Sequence, residues 1–451
     1  MTQPVPSGAA GSRRIFSEGG WLLLSFVLLA LGVAVEHGHY SPGALGLTVA
    51  GAGCLAWAAR LSLAKKTETG FIPDALLAGG LVILLLYGLL DRPGLYVQTP
   101  VYDRVYIAVQ LGLALAVAAA YLRPRGSDRA RHAVFLAGVL LGGGLRVGMV
   151  LASPAPAIDV FTQFQESSAH LLQGLNPFLT PISEPPPGAP TFGYHVTGYA
   201  YPPANLYAQA LFYQLGGDIR YAHIAFELLA VASLGAIVPR SRRAAGQLLA
   251  LLFLFHPRGF FVIEQAWNEP LLVGCAGVFL WLAATRPDSR WGPVVLGLFL
   301  SLKQYLVFFA VLFFARPKGW RWLPLAAAVV LLTWLPFLLW DAPSALDNGL
   351  FFQFRTPFRP DGLTVSAVLF RWFGWAPTKW LAITVGVAAA TVTHRLFGAQ
   401  AIGGYLYASV LTTLAVFLCG SQAFCNYYYF LGAMLLFLIA IRLREEASHA
   451  V

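Results

Sequence analysis

The sequence contains few charged residues for its length. Only 11% of its 451 residues are Asp, Glu, Lys or Arg, whereas soluble domains carry about 25%. Acidic residues are the scarcer kind, with 20 Asp and Glu against 30 Lys and Arg. With 58% hydrophobic residues, the chain has too little polar surface for a soluble globular protein. We therefore expect a membrane protein.

Cysteine is also rare, which argues against a disulfide scaffold or a thiolate metal centre. Of the four cysteines, Cys54 and Cys275 lie in apolar segments and are expected to pack there. Cys419 and Cys425 flank a short predicted outer turn, where a disulfide stays open. No CxxC or His/Cys spacing typical of zinc occurs, and no Gly-rich phosphate loop is present. We predict no cofactor and no metal site, although a divalent ion between Asp159 and a substrate phosphate stays open.

Long apolar runs are what the chain has instead. They recur along the whole sequence, and a transmembrane helix needs about 20 such residues. We predict an all-α, polytopic transmembrane helical bundle of about 12–14 spans. The predicted spans include 20–36, 43–60, 73–90, 104–122, 133–152, 221–238, 246–261, 269–286, 321–340, 378–394, 400–418 and 426–442.

The basic residues cluster in short connections between these runs. Examples are Arg60 with Lys65, Arg240 to Arg243, and Arg442 with Arg444. Cytoplasmic loops of membrane proteins are enriched in such residues. We therefore predict cytoplasmic N- and C-termini in a multi-pass protein of the cell (plasma or inner) membrane, and no nucleic-acid partner.

Two segments do not fit a simple alternation of spans. Residues 204–215 are apolar but short, and we predict a juxtamembrane or re-entrant helix there. Arg290 and Arg316 are both expected on the cytoplasmic side, so an even number of crossings must separate them. The residues between them are too few for two full spans. We predict a broken helix pair that meets at 302–304, which is tolerated only where it lines a cavity or is buried in protein.

The predicted organisation has three parts. A five-span region covers 1–153, a second membrane region covers 154–442, and a short cytoplasmic tail covers 443–451. The second region opens with the polar loop 154–203, which is rich in aromatic residues. Long insertions of this kind in compact proteins are usually functional or disordered, and the aromatics argue against disorder.

This topology gathers polar and aromatic residues at the outer face, with Lys303 and Gln304 at the tip of the broken pair. Ionisable residues at membrane depth are candidates for function, and we expect a catalytic or transport site. The outer-face candidates are Asp159, Glu166, His170, His195, Tyr199, Tyr201, Glu264, Gln265, Asn268, Glu269, Arg355, Arg359, Asp361, Asn426 and Tyr427.

Asp159 is the candidate general base, since a carboxylate just beyond the fifth span can take a proton from an acceptor hydroxyl. The alternative is an N-cap of the helix that follows. Lys303, Arg355 and Arg359 are candidate ligands of an anionic phosphate headgroup. Their alternatives are a snorkelling lysine and interfacial arginines, with Asp361 as a partner.

The remaining candidates have the chemistry of a sugar or acceptor site. Carboxylates and amides such as Glu264, Gln265 and Asn268 hydrogen-bond sugar hydroxyls, but they also suit the start of the helix near Pro270. His170 and His195 suit proton transfer, or are simply surface residues. The tyrosines suit sugar stacking, or an interfacial aromatic belt.

The order of several motifs resembles a known family. These are "IDVFTQFQESSAHLLQGLNPF", "YAYPPANLYAQALF", "EQAWNE", "LSLKQYLVFF" and "CNYYYF". Together they resemble glycosyltransferases of the GT-C superfamily, and most closely the polyprenyl-phosphate-mannose-dependent enzymes of glycosyltransferase family 87. The sequence departs from the family pattern in its four additional N-terminal spans, in Glu264-Gln265 where the family has Gly-Gln, and in Tyr305 where the family commonly has proline.

The resemblance implies a GT-C-type fold and an inverting membrane glycosyltransferase. Such an enzyme would transfer a hexose, with mannose expected, from a polyprenyl-phosphate donor to a lipid, glycan or protein acceptor at the outer face. Asp159 would be the base, and Lys303 with Arg355 or Arg359 would stabilise the departing phosphate. The partners would be membrane lipids, the lipid-linked donor and the acceptor. The alternative function is a secondary transporter or a flippase of lipids or lipid-linked sugars.

Overall fold

The computed structural model describes residues 17–64, 71–123, 126–184, 196–398 and 401–449. It is 76% helical, and the described residues form no strand. The all-α prediction is therefore confirmed. His195, one of the candidate residues, lies outside the described residues.

Ten α-helices lie in the described residues as far as Glu264. They are α1 (Glu18–Val35), α2 (Pro42–Leu63), α3 (Asp74–Tyr87), α4 (Pro100–Val117), α5 (Asp128–Ala152), α6 (Asp159–Leu172), α7 (Pro203–Gly216), α8 (Arg220–Ile237), α9 (Arg243–Leu254) and α10 (Gly259–Glu264). The others are α11 (Glu269–Thr285), α12 (Trp291–Leu300), α13 (Val307–Phe314), α14 (Leu323–Leu346), α15 (Phe352–Arg355), α16 (Val365–Phe373), α17 (Lys379–Phe397), α18 (Ile402–Cys419) and α19 (Cys425–His449).

Nine helical stretches in the described part of the chain are long and apolar enough to cross a membrane. Shorter apolar helices of 10–17 residues accompany them at α3, α11, α12 and around α13. The chain is thus a multi-pass membrane protein, as predicted. The predicted count of about 12–14 spans is reached only if these shorter helices also cross.

Helix α19 forms the centre of the bundle. In its most apolar window 89% of the residues are buried, whereas the figure is 17% for the stretch containing α14 and 22% for α17. Because lipid tails are as apolar as leucine side chains, apolarity alone does not decide which helix is central; packing between helices does. Helices α1, α11 and α18 pack against α19, while α14 and α17 lie at the periphery and expose apolar side chains.

The predicted break in the helix pair is confirmed. Helix α12 ends at Leu300, Lys303 has an extended backbone (φ −157°, ψ 145°), and a single 3₁₀ turn precedes α13. Breaking a helix frees backbone carbonyls, which need new partners at membrane depth. The side-chain amide of Asn205 on α7 donates to the carbonyl of Leu302. Helix α7 therefore stabilises the break by supplying a hydrogen-bond donor to one of the freed carbonyls.

The predicted span 246–261 is wrong, because it is not one helix. Helix α9 ends at Leu254 and α10 begins only at Gly259. Pro257 lies between them, and proline disfavours helical backbone in the residue before it and removes a hydrogen bond. The resulting corner at 255–258 turns the chain toward the site described below.

The predicted outer loop 341–362 is also largely helical. The chain leaves helical geometry at Asp341 (φ −158°, ψ 92°), where its carboxylate accepts a hydrogen bond from Ser344 N at 3.2 Å. This contact caps the next helical segment, and the chain stays helical as far as Arg355. Only the part beyond Arg355 is a loop.

A buried polar network joins α5, α8 and α19. Arg146 on α5 forms an ion pair with Glu227 on α8, both fully buried, and donates to Leu254 O at 2.7 Å. The hydroxyl of Tyr429 also donates to Glu227. Glu227 therefore balances the charge of Arg146 inside the bundle. The four cysteines are free thiols, so no disulfide joins Cys419 and Cys425.

Candidate functional site

The connections at one end of the bundle enclose a cavity of 740 Å³, which we call the polar cavity because charged and amide side chains line it together with aromatic and aliphatic ones. Segments far apart in the sequence form its wall: the α1–α2 and α3–α4 connections, the start of α6, the α10–α11 corner and the loop after α15. The predicted site residues that line it are Asp159, Tyr201, Gln265, Lys303, Arg359, Asp361, Asn426 and Tyr427.

Asp159 is the first residue of α6, and it does not cap the helix. Ile158 occupies the N-cap position, and among the described residues the Asp159 carboxylate accepts local backbone hydrogen bonds, one of them from Val160 N at 2.8 Å. Burial raises the pKa of Asp159, although this hydrogen bond and the charge of Arg359 oppose the shift. A carboxylate that is more basic than usual and faces a cavity is suited to accept a proton.

Lys303 lies at the break between α12 and α13 and is only 7% exposed. Its ammonium donates to Asn268 Oδ1 at 3.1 Å and forms an ion pair with Glu269. The rings of Tyr201, Tyr305 and Tyr427 surround it, with centroids 5.2–5.6 Å from Nζ. The snorkelling alternative is therefore wrong, because the side chain is buried in protein.

Arg359 forms a second ion pair in the cavity wall. Its Nε and Nη2 donate to the two oxygens of Asp361 at 2.8 and 2.6 Å, and its guanidinium lies over the ring of Phe424. His39 Nδ1 lies 3.3 Å from the same carboxylate. Burial alone would raise the pKa of Asp361, but the hydrogen bonds from Arg359 and His39 hold it well below its ordinary value. Asp361 was predicted as this partner.

A second cavity, of 690 Å³, adjoins the first. It is an apolar groove whose sides are formed by α13, α17 and α18. The residues that line both cavities are Lys303, Gln353, Gln422 and Tyr427. Helix α17 alone is about 28 Å long at 1.5 Å per residue, which is close to the thickness of a hydrocarbon core. The polar cavity thus continues into an apolar groove at Lys303.

Gln304, another predicted site residue, lines the groove and donates to Gly349 O at 2.9 Å.

Glu264 is not a cavity residue, contrary to the prediction. It is fully buried, and its two carboxylate oxygens accept hydrogen bonds from Leu95 N at 2.7 Å and Tyr96 N at 2.8 Å. The α3–α4 connection is thereby fastened to the α10–α11 corner. Gln265, which lines the cavity, donates to Glu264 at 3.0 Å. Glu264 therefore holds the α3–α4 connection in its place in the cavity wall, and it does not itself line the cavity.

We predict that Gly94→Ala destabilises this connection. A Cβ at Gly94 would lie 2.6 Å from Glu264 Cδ, so the carboxylate must move away from the two amides it binds. A loss of about 1–3 kcal/mol is expected for such overpacking, measured as a lowered Tm in detergent. The matched control is Gly53→Ala on α2, where a Cβ meets nothing within 4 Å. A Gly94→Ala Tm no lower than that of the control would contradict the prediction.

Other predicted candidates also lie away from the cavity. Tyr199 is fully buried among Phe164, Phe178 and Tyr201, and packs there. Asn268 lies behind Lys303 and acts through it.

Three further candidates do not reach the cavity either. Glu166 accepts a hydrogen bond from Ser183 N at 2.8 Å, and His170 lies further along α6; neither lines the cavity. Arg355 is exposed and forms an ion pair with Asp347. It lines neither cavity, so its expected role in phosphate binding is not supported by its position.

Several cavity residues were missed from the sequence. His37 and His39 follow α1, and Tyr96 follows α3. Burial and the nearby charges of Arg258 and His39 lower the pKa of His37 to about 4, which leaves it neutral and able to hydrogen-bond hydroxyl groups. No local signal identified these residues, because their elements reach the cavity only through long-range contacts such as Tyr40 N to Asp361 O at 2.8 Å.

Gln163 could have been found. It lies four residues after Asp159 in α6, and residues four apart share a helix face. Its side-chain amide donates to Gly198 O at 3.2 Å, and it lines the cavity beside Asp159.

No group of three His, Cys, Asp or Glu side chains suited to a metal ion occurs among the residues that the structure describes. Comparison of the chain with family models, with curated proteins and with solved structures gives no match.

Proposed function

We propose that the protein is a membrane glycosyltransferase that uses a polyprenyl-phosphate hexose, with mannose as the expected sugar. The observation that carries the proposal is the junction at Lys303, where a polar cavity containing Asp159 meets an apolar groove. A lipid-linked sugar likewise consists of an apolar chain joined to a polar head. Its isoprenoid chain suits the groove, its phosphate suits the junction, and its sugar suits the polar cavity.

In the proposed reaction, the oxygen of an acceptor hydroxyl attacks the anomeric carbon on the side opposite the phosphate. Asp159 takes the hydroxyl proton as the new C–O bond forms. The bond between the anomeric carbon and the phosphate oxygen breaks, and polyprenyl phosphate leaves with the bonding electrons. One displacement inverts the anomeric centre. A general base of this kind contributes typically about 10²–10⁴-fold to the rate.

The surroundings of the junction suit a developing negative charge. Lys303 holds its ammonium between the two cavities, and Glu269 and Asn268 fix the position of that ammonium. Donors that are already in place where charge develops need no reorganisation during the reaction. Tyr201 and Tyr427 line the cavity beside Lys303 and offer aromatic faces to a sugar ring.

The resemblance to GT-C enzymes supports the same proposal. Each of the motifs on which it rests places a residue in the polar cavity: Asp159, Tyr201, Gln265, Lys303 and Asn426. A GT-C-type fold, an active site at the outer face of the plasma or inner membrane, and acceptors among lipids, glycans or proteins are parts of this proposal.

The test is sugar transfer by the purified full-length protein in proteoliposomes. The donor is polyprenyl-phosphate-mannose labelled in the sugar, and the acceptors are membrane glycolipids and glycans. We expect labelled product with release of polyprenyl phosphate, and none with free mannose or nucleotide-linked mannose. Movement of the intact lipid-linked sugar across the bilayer without transfer would favour a flippase and defeat the proposal.

A further inference from the structure

The cations near the junction differ in how their charge is balanced. Lys303 is paired with Glu269, and Arg359 with Asp361, so each pair is close to neutral. A lipid phosphate that enters the junction can accept hydrogen bonds from Lys303, but these two pairs add little net positive charge. A third cation, Lys379, lines the groove at the first residue of α17.

Lys379 contacts only neutral groups within the described part of the chain. Its ammonium donates to the backbone carbonyl of Gln353 and to the hydroxyl of Thr356. Gln353 is one of the residues that line both cavities, so this ammonium lies where the groove meets the polar cavity. It carries a positive charge that no carboxylate of the described residues balances.

Exposed aromatic side chains mark the membrane level of Lys379. Phe354, Trp375 and Trp380 surround this end of α17, and each is more than half exposed. Tryptophan and other aromatics of this kind concentrate at the boundary between hydrocarbon and headgroups. These aromatic neighbours suit Lys379 for contact with the phosphate of a membrane lipid.

We propose that Lys379 binds the phosphate of the polyprenyl lipid at the mouth of the apolar groove. The inference rests on the proposed function and adds a binding residue to it. The isoprenoid chain occupies the groove between α13, α17 and α18, and the phosphate accepts hydrogen bonds from the Lys379 ammonium. Gln353 and Thr356 hold that ammonium in place before the lipid arrives.

The test measures binding of undecaprenyl monophosphate to the full-length protein in detergent or nanodiscs, with undecaprenol as the matched lipid without phosphate. Lys379→Gln is expected to weaken binding of the phosphate lipid by about 10- to 100-fold, the value of a charge-assisted hydrogen bond. Binding of undecaprenol should be unchanged. Lys379→Arg keeps the charge and should stay within about threefold of the wild type.

Two controls separate charge from structure. Lys318→Gln removes an exposed cation that lines neither cavity and should bind like the wild type. Thr356→Val removes one neutral partner of the Lys379 ammonium but keeps its charge, and should weaken binding of undecaprenyl phosphate less than Lys379→Gln does. The Tm of each variant shows whether it is folded. Added salt should weaken phosphate binding to the wild type more than to Lys379→Gln.

The outcomes distinguish this inference from the proposed function. The inference would be overturned if Lys379→Gln bound undecaprenyl phosphate as tightly as the wild type does. It would also be overturned if the variant lost affinity for undecaprenyl phosphate and undecaprenol equally. A loss of affinity for undecaprenyl phosphate in Thr356→Val as large as that in Lys379→Gln would also overturn it. So would displacement of undecaprenyl phosphate by excess phosphatidylglycerol. Wild-type protein that binds undecaprenyl phosphate but transfers no sugar would defeat the proposed function, while the Lys379→Gln comparison would still decide the role of Lys379.

Discussion

Asp159→Asn is expected to lower sugar transfer by about 10²–10⁴-fold, the usual contribution of a general base. The amide has nearly the same shape but cannot accept the proton of the acceptor hydroxyl. Helix α6 should be preserved, because Ile158 and not Asp159 is its N-cap residue. The measurement is the initial rate in proteoliposomes with labelled polyprenyl-phosphate-mannose, together with the affinity for the donor, which should change little.

The matched control is Glu166→Gln on the same helix. Glu166 lies outside the cavity, where it accepts a hydrogen bond from Ser183 N. Its replacement should leave transfer close to the wild-type rate. Full activity in Asp159→Asn, under conditions where the wild type is active, would remove Asp159 from the mechanism.

The pH dependence provides a second check on Asp159. Burial raises the pKa of Asp159 above its ordinary value of 3.8, and only the ionised carboxylate can act as a base. The rate should therefore fall as the pH decreases through the raised pKa and rise toward a plateau above it. This acidic limb should be absent from the residual activity of Asp159→Asn. A wild-type profile without a limb above pH 3.8 would contradict this assignment.

Lys303→Met is expected to destabilise the protein by about 3–5 kcal/mol, the usual cost of removing one partner of a buried ion pair. Glu269 is fully buried, and without Lys303 its charge would have no counterion. Transfer should be lost as well. The measurements are the Tm of the purified protein and the transfer rate at a temperature where the variant remains folded.

The double variant Lys303→Met with Glu269→Leu separates stability from function. Replacing a whole buried ion pair by apolar residues is often neutral or stabilising, so the Tm should recover while transfer does not. Arg355→Gln is the control for an exposed pair. Arg355 and Asp347 are each 53% exposed, and such pairs contribute at most about 1 kcal/mol. Recovery of transfer in the double variant would exclude a direct role for Lys303.

Much of the fold could be predicted because membrane insertion depends on hydrophobicity and charge, which can be read along the sequence. Apolar runs indicated the helices, and the basic connections required an even number of crossings between Arg290 and Arg316. That requirement located the break near Lys303. The errors arose where helix geometry changes within an apolar or aromatic stretch. Pro257 divides one expected span, and the segment after Asp341 is helical although it was expected to be a loop.

The site was predicted less completely, because one residue type can serve several purposes. Asp159, Tyr201, Lys303 and Asn426 line the cavity as expected. Glu264 has the same chemistry as a sugar ligand but binds backbone amides. Only the surroundings of a carboxylate decide between these roles.

The order of apolar, polar and basic segments along the chain is enough to predict a helical membrane protein, with a polar region after the fifth helix and a break at Lys303. These properties depend on hydrophobicity and charge along the chain. Which charges neutralise one another, and which residues share a cavity, could be seen only in the folded protein. Lys303 pairs with Glu269, 34 residues earlier, and His39 contacts Asp361, which belongs to a connection much later in the sequence. Such contacts depend on how the helices pack, and packing brings together residues that no local pattern relates.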